Sequence, residues 1–372
     1  MRYVVLLGTA LAGAAAGLLA CNGIFSIEPG TLYGSGGDDG GDSSGPSSGA
    51  GGSCPGETAC AGACVDTKFD ATHCGRCGHD CQGGTCKASM CQPVTLASDQ
   101  TSPFGITVDA THVYWTTLGG ADDGEIKKAP IGGGAVTTLA TGQSFPFSIA
   151  VDATHIYWTN RNDGTVRKVP MDGGIVVTLA SGQDWPNGIA VDATHVYWTS
   201  QVEGTVRKAP LEGGTLTTLA DEQSDPNGIA VDATHVYWTN QLEGTVQKSP
   251  LEGGTLTTLA DGEIHPIGIT VDATRVYWTT ATGDGMVRSV LLGGGAVTAL
   301  ADEQVNPFGI AVDATHVYWT TILNGSTVKS VPIGGDTVTT LANGGDPYSL
   351  AVNETAIFWA NNTDGTVVKL AK

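Results

Sequence analysis

The stretch from Pro186 to Ala220, PNGIAVDATHVYWTSQVEGTVRKAPLEGGTLTTLA, returns almost unchanged from Pro226 and in recognisable form from Pro103, Pro146, Pro266, Pro307 and Pro347. Those prolines lie 43, 40, 40, 40, 41 and 40 residues apart. A fixed period of this length restricts the chain to architectures in which one small unit packs against copies of itself.

Each unit holds four short apolar segments, here Gly188 to Asp192, Val196 to Thr199, Thr205 to Ala209 and Leu216 to Ala220. Val, Ile, Thr, Tyr and Trp dominate them, and none is long enough for a three-turn helix, so they read as strands. The connections carry turn chemistry: Asp-Ala-Thr-His, then Glu203-Gly204, then Glu212-Gly213-Gly214. An Asp side chain bonds backbone two residues on, and glycine supplies positive φ without a Cβ clash. The unit is therefore a four-stranded antiparallel meander. Ile189 and Val191 point to one face with Gly188 and Ala190 on the other, and Val196 and Trp198 oppose Tyr197 and Thr199. Both faces are largely apolar, which demands a neighbouring sheet on each side. Seven sheets set radially meet that demand, at the period expected of β-propeller blades.

Repeat seven stops after its third strand, Thr366 to Ala371, whereas Val94 to Ala97 is a fourth-strand segment with no repeat of its own. The expectation is an all-β fold: a seven-bladed β-propeller over residues 93–372, closed by an N-terminal strand that completes the last blade. The pattern P-x-G-I-A-V-D followed by V-Y-W-T resembles the YWTD propeller repeats of low-density-lipoprotein-receptor-type proteins. Two departures stand out. The residue after Tyr-Trp-Thr is never Asp, and seven units are present where that family usually has six. The resemblance implies the scaffold and transfers no ligand.

Ahead of the ring lie three further segments. Residues 1–20, with an apolar run from Tyr3 to Ala20, followed by Cys21, resemble a bacterial lipobox, Leu18-Leu19-Ala20-Cys21; a membrane span or an ordinary secretory signal are the other readings. The resemblance implies cleavage before Cys21, lipidation of Cys21 and a membrane-anchored lipoprotein, with Asn22 leaning toward the outer membrane or cell surface. Residues 21–53 are Gly/Ser-rich and read as a flexible tether. Residues 54–92 hold Cys54, Cys60, Cys64, Cys74, Cys77, Cys81, Cys86 and Cys91, and the propeller segment holds no cysteine. In an exported chain this even set reads as four disulfides, with zinc at Cys74-x-x-Cys77 beside His73 and His79 as the rival. The block resembles a stigma-specific-protein-type cysteine-rich module, which implies no chemistry.

With 37 acidic and 17 basic residues, a net charge of −20 makes nucleic acid and anionic lipid poor partners, leaving the lipid anchor as the membrane contact. The Asp and His of Asp-Ala-Thr-His suggest acid–base chemistry, yet the motif recurs around the ring, where an active site needs one asymmetric constellation. Its reading is turn and packing. The loops that differ are those from fourth strand to next first strand and those joining second and third strands, which share one face in a propeller. They bring Phe145, Phe147, Asp184, Trp185, Asn187, Asp225, Asn227, His265, Phe308 and Tyr348 to one rim, where exposed aromatics among amides and carboxylates suit binding. Loop variation with the aromatics capping the core is the plainer alternative. Two functions follow: a non-catalytic, monomeric, surface-tethered propeller binding an extracellular protein or glycan without a cofactor, or a propeller lyase or lactonase-like enzyme with a divalent cation at the axial channel. For the second, His265 with Asp225 and Asp346 is the nearest ligand set.

Overall fold

The computed structural model describes residues 57–60, 63–120, 122–281, 284–323 and 325–372. The expected signal segment, Cys21, the tether and Cys54 lie outside them. The described chain is all-β, with seven four-stranded antiparallel sheets set around an axis. Blade three shows the pattern: inner strand Pro186–Val191, second strand His195–Ser200, third strand Thr205–Pro210 and outer strand Thr217–Ala220. Counting from Pro103, the other inner strands are Pro103–Val108, Pro146–Val151, Pro226–Val231, Pro266–Val271, Pro307–Val312 and Pro347–Val352.

The inner strand begins two residues before the expected Gly188, because the register breaks between Pro186 and Ile189. That break has a cause in the packing around the axis. A Cβ on Gly188 would lie 2.6 Å from the carbonyl oxygen of Asn227 in the next blade, so glycine is needed for this close approach in blade three, whereas Ser148 and Ser349 take the same position in blades two and seven. Thr199 then locks the approach: its hydroxyl accepts from the Gly188 amide at 3.0 Å and donates to the Asn227 carbonyl at 2.6 Å.

Between blades the core repeats. Ile189, Val191, Val196 and Trp198 pack onto Ala150, Tyr157, Val166 and Leu179 of blade two. Their own reverse face, with Ala190, Tyr197, Val206 and Leu219, receives Ile229, Val231, Val236 and Trp238 of blade four. Each blade thus offers a bulky Trp face to one neighbour and a Tyr face, or in blade seven a Phe358 face, to the other. Trp198 is fully buried, and losing such a side chain to Ala costs about 3–5 kcal/mol. Lysines on the third strands add a second tie: Lys128, Lys168, Lys208 and Lys248 each donate Nζ to a turn carbonyl of the next blade at 2.5–2.7 Å.

The ring closes as expected. Val94–Ala97 is the outer strand of blade seven, pairing Val367 with Ala97 and Lys369 with Val94. Its register break falls between Val367 and Val368, matching the break between Val206 and Arg207 in blade three.

The cysteine-rich module consists of two short hairpins and three described disulfides, Cys60–Cys77, Cys74–Cys86 and Cys81–Cys91. Cys64 is also disulfide-bonded. The zinc reading at Cys74 and Cys77 is overturned, because both sulfurs are spent in disulfides, as are those of the close cluster Cys74, Cys81 and Cys91. The module packs directly on the propeller. Cys74, Cys81, Cys86 and Cys91 share one core with Leu350, Trp359, Leu370 and Ala371 of blade seven. His79 bridges the Cys74 and Lys372 carbonyls at 2.6 and 2.5 Å, and Lys369 donates to the Gln82 carbonyl at 2.8 Å.

Candidate functional site

The repeated Asp-Ala-Thr-His turns occupy one face and are consumed by their own hydrogen bonds. Asp192 Oδ1 accepts from the Thr194 amide, the Thr194 hydroxyl and the His195 amide at 2.7–2.9 Å. Its Oδ2 accepts from the Tyr197 hydroxyl at 2.6 Å. The His195 ring faces Thr194 Oγ1 at 2.8 Å, so carboxylate and imidazole form no dyad. Burial alone would raise the Asp192 pKa, but the donors from Tyr197, Thr194 and His195 outweigh it and hold it below the ordinary carboxylate value. Burial, reinforced by Asp192, pushes Tyr197 upward. This is a turn lock.

On the opposite face, the residue before each inner-strand proline is left-handed, yet none is glycine. Ser102, Phe145, Trp185, Asp225, His265, Asn306 and Asp346 have φ between 44° and 61°. Each such carbonyl accepts from the residue that opens the loop between second and third strands: Leu118, Arg161, Gln201, Gln241, Ala281, Ile322 and Asn362. The two variable loop sets therefore share this face, tied by a ring of seven equivalent hydrogen bonds. These bonds offset backbone strain of about 1 kcal/mol per residue. The frame is constant and the side chains on it are not.

Those side chains divide into two arcs. Phe104, Phe147 and Phe308 are buried with Ile322, and Leu118, Phe145 and Tyr348 pack against them. Phe104 lies 4.8 Å from Phe147 and 5.2 Å from Tyr348 between ring centroids, and Phe308 meets Tyr348 edge-on at 5.1 Å. Blades six, seven, one and two thus carry an aromatic plug. The expectation that Phe147 and Phe308 are exposed contacts is corrected: both are fully buried, because the residue after the proline turns inward ahead of the register break. Asn187 and Asn227 take the same inward position and are also fully buried. Trp185 is 40% exposed, Asp184 and His265 are exposed, and Phe145 and Asp225 are half-buried.

Blades two to four carry the polar arc, centred on a residue absent from the expected set. Arg161 is 2% exposed. Its guanidinium lies 3.9 Å from the Phe147 ring centroid and 5.0 Å from that of Trp185, within cation–π range of both. Nη2 donates to Gln201 Oε1. Nε and Nη1 of Arg161, both amide atoms of Asn187 and Oδ1 of Asn227 are buried with no hydrogen-bond partner among the described residues. Asn227 Nδ2 donates to Gln241 Oε1 at 3.1 Å. Burial lowers the Arg161 pKa to about 9 against the attraction of Asp225, so the group stays charged at neutral pH. The repeat comparison held the available signal: Arg161 is the one cation among the seven residues that open these loops.

Aliphatic side chains surround this arc. Val202, Leu242 and Ile264 on the loops of the same face are 62%, 68% and 62% exposed. Two further loop polar groups are structural. Gln183 accepts from the Trp198 indole at 3.0 Å, and Glu263 accepts from Trp278 while pairing with Arg288 at 2.8 Å. The metal set His265, Asp225 and Asp346 does not assemble: among the described residues the one three-member group with ligand atoms within 4.8 Å is the disulfide-bonded cysteine cluster. Asp346 instead accepts from Ser326 and, at 2.7 Å, from Thr363.

No family description matches the chain, and no curated protein matches it. Solved structures do. Virginiamycin B lyase from Staphylococcus aureus superposes with a TM-score of 0.65 at 16% identity, covering 76% of this chain and 98% of that one. A streptogramin B lyase gives 0.63 at 14% identity, covering 75% and 96%. U3-55K gives 0.63 at 12% identity, covering 75% and 98%. At these identities the likeness is one of fold.

Proposed function

We propose that this chain is an exported, lipid-tethered propeller that binds a protein or glycan partner through its variable-loop face and performs no catalysis there. One observation carries the reading. That face combines a half-exposed Trp185 and exposed Val202, Leu242 and Ile264 with buried, unpartnered groups on Arg161, Asn187 and Asn227. An apolar rim around a polar floor is the composition of a binding hot spot. The opposite face repeats the Asp-Ala-Thr-His turn in five of the seven blades, with Arg275 and Ala356 in the His position of the other two, and its blade-seven turn already accepts Gln82 of the cysteine-rich module.

The test is an array of glycans and peptides probed with the purified protein, followed by paired variants. Trp185→Ala with Leu242→Ala should cost more than about 2 kcal/mol of binding with the fold intact. His195→Ala with His235→Ala, on the face of the repeated turns, should cost stability and little affinity. The reading fails if the second pair abolishes binding and the first does not. Anchoring is tested apart from binding: Cys21→Ser should block processing and lipidation, and a variant still processed and partitioning into detergent would overturn it.

A further inference from the structure

We propose that the buried guanidinium of Arg161 receives a carboxylate carried by a peptide segment of the partner, whose apolar neighbours seat on Trp185, Val202 and Leu242. This rests on the reading of the variable face as a binding surface, and it names what that surface takes.

A guanidinium withdrawn from water without close ion pairing is destabilising unless its donors are met. Arg161 is nine-tenths and more buried, has one nitrogen committed to Gln201, and keeps Nε and Nη1 unpartnered. The rings of Phe147 and Trp185 flank it, so it is held in place by packing rather than by an acid of its own blade. Asn187 Nδ2, in blade three of the same arc, is a further buried donor without a partner among the described residues. Charge-assisted hydrogen bonds from such fixed donors favour a planar oxyanion. The surroundings favour a peptide over an acidic sugar. The tips of the adjoining loops expose one aliphatic residue each, Val202 and Leu242, beside Glu203 and Glu243, and the aliphatic pair can bury apolar side chains of a peptide. The opposing charges are Asp225, which attracts Arg161, and the exposed Asp184, Glu203 and Glu243 of the same loops, all of which would repel an incoming anion.

The probes are fluorescein-labelled Leu-Leu-Glu-Leu-Leu amide and its Gln counterpart, titrated against the purified full-length protein at low salt by fluorescence polarisation. The Glu peptide should bind about tenfold tighter than the Gln peptide. Arg161→Gln should erase that preference, with the near-ultraviolet circular dichroism of the buried tryptophans confirming the fold. Asp225→Asn should tighten the Glu peptide alone, an effect independent of whether Arg161→Gln folds. Equal affinity for the two peptides, binding of neither, or displacement by glucuronic acid at lower concentration than by N-acetylglutamate would each overturn the proposal. An array partner lost in Trp185→Ala with Leu242→Ala but unaffected by Arg161→Gln would overturn the carboxylate site and leave the binding face standing. A partner that neither change affects would overturn both.

Discussion

Tyr197 donates its hydroxyl to Oδ2 of Asp192 at 2.6 Å, and each of blades one to six contains the same pair. Blade seven has neither partner. Asn353 stands in the Asp position and Phe358 in the Tyr position, so the oxygen and the hydroxyl it served are lost together. Oδ1 of Asn353 still accepts from Thr355 and Ala356, which preserves the turn.

This pairing makes the first prediction. Tyr197→Phe leaves a partly buried carboxylate oxygen unmet and should cost about 1–2 kcal/mol in urea unfolding. Adding Asp192→Asn reproduces blade seven, and the double variant should lose less than the sum of the singles. Strict additivity would show that the two residues are not coupled.

Acid and alkali should act on the same pairs in opposite senses. The carboxylates of Asp109, Asp152, Asp192, Asp232, Asp272 and Asp313 are held below their ordinary values. Their contribution is present above the unfolded value of about 4 and fades as pH falls below it. The tyrosines are raised, so theirs is present below about pH 10 and fades above it. Melting temperature against pH should therefore show a plateau between those limits. A maximum confined to neutral pH would contradict the assignment.

Closure makes a third prediction. Removing residues through Cys91 strips the module from blade seven but leaves Val94–Ala97 paired with Val367 and Lys369. Removing residues through Ala97 opens the ring and should lower the melting temperature well beyond the first truncation. Equal melting temperatures would mean that the strand does not hold the ring shut.

The docked module can be tested without truncation. Cys81→Ser with Cys91→Ser breaks a disulfide that lies in the same core as Leu370, and such a bridge is worth about 2–4 kcal/mol. Amide exchange should quicken in Thr366–Ala371 and stay unchanged in Thr205–Pro210 of blade three. Uniform quickening, or none, would argue that the module does not brace blade seven.

Period and pattern in the sequence led to the ring, its seven blades and the strand that closes it. Those features are local: strand-length apolar runs, turn residues at fixed offsets, and one spare segment, Val94 to Ala97, without a repeat of its own. Arg161 was not legible in the same way. It opens a loop whose sequence neighbours, Asn160 and Asn162, give no sign of burial, and its surroundings come from Phe147, Trp185 and Gln201 on other strands and loops. The same limit applies to Phe147 and Asn187. Sequence put them on a variable rim, whereas the register break between Pro186 and Ile189 and its counterparts turns these residues inward. Burial at the axis is a property of seven blades meeting, and no single repeat encodes which of its residues the others will cover.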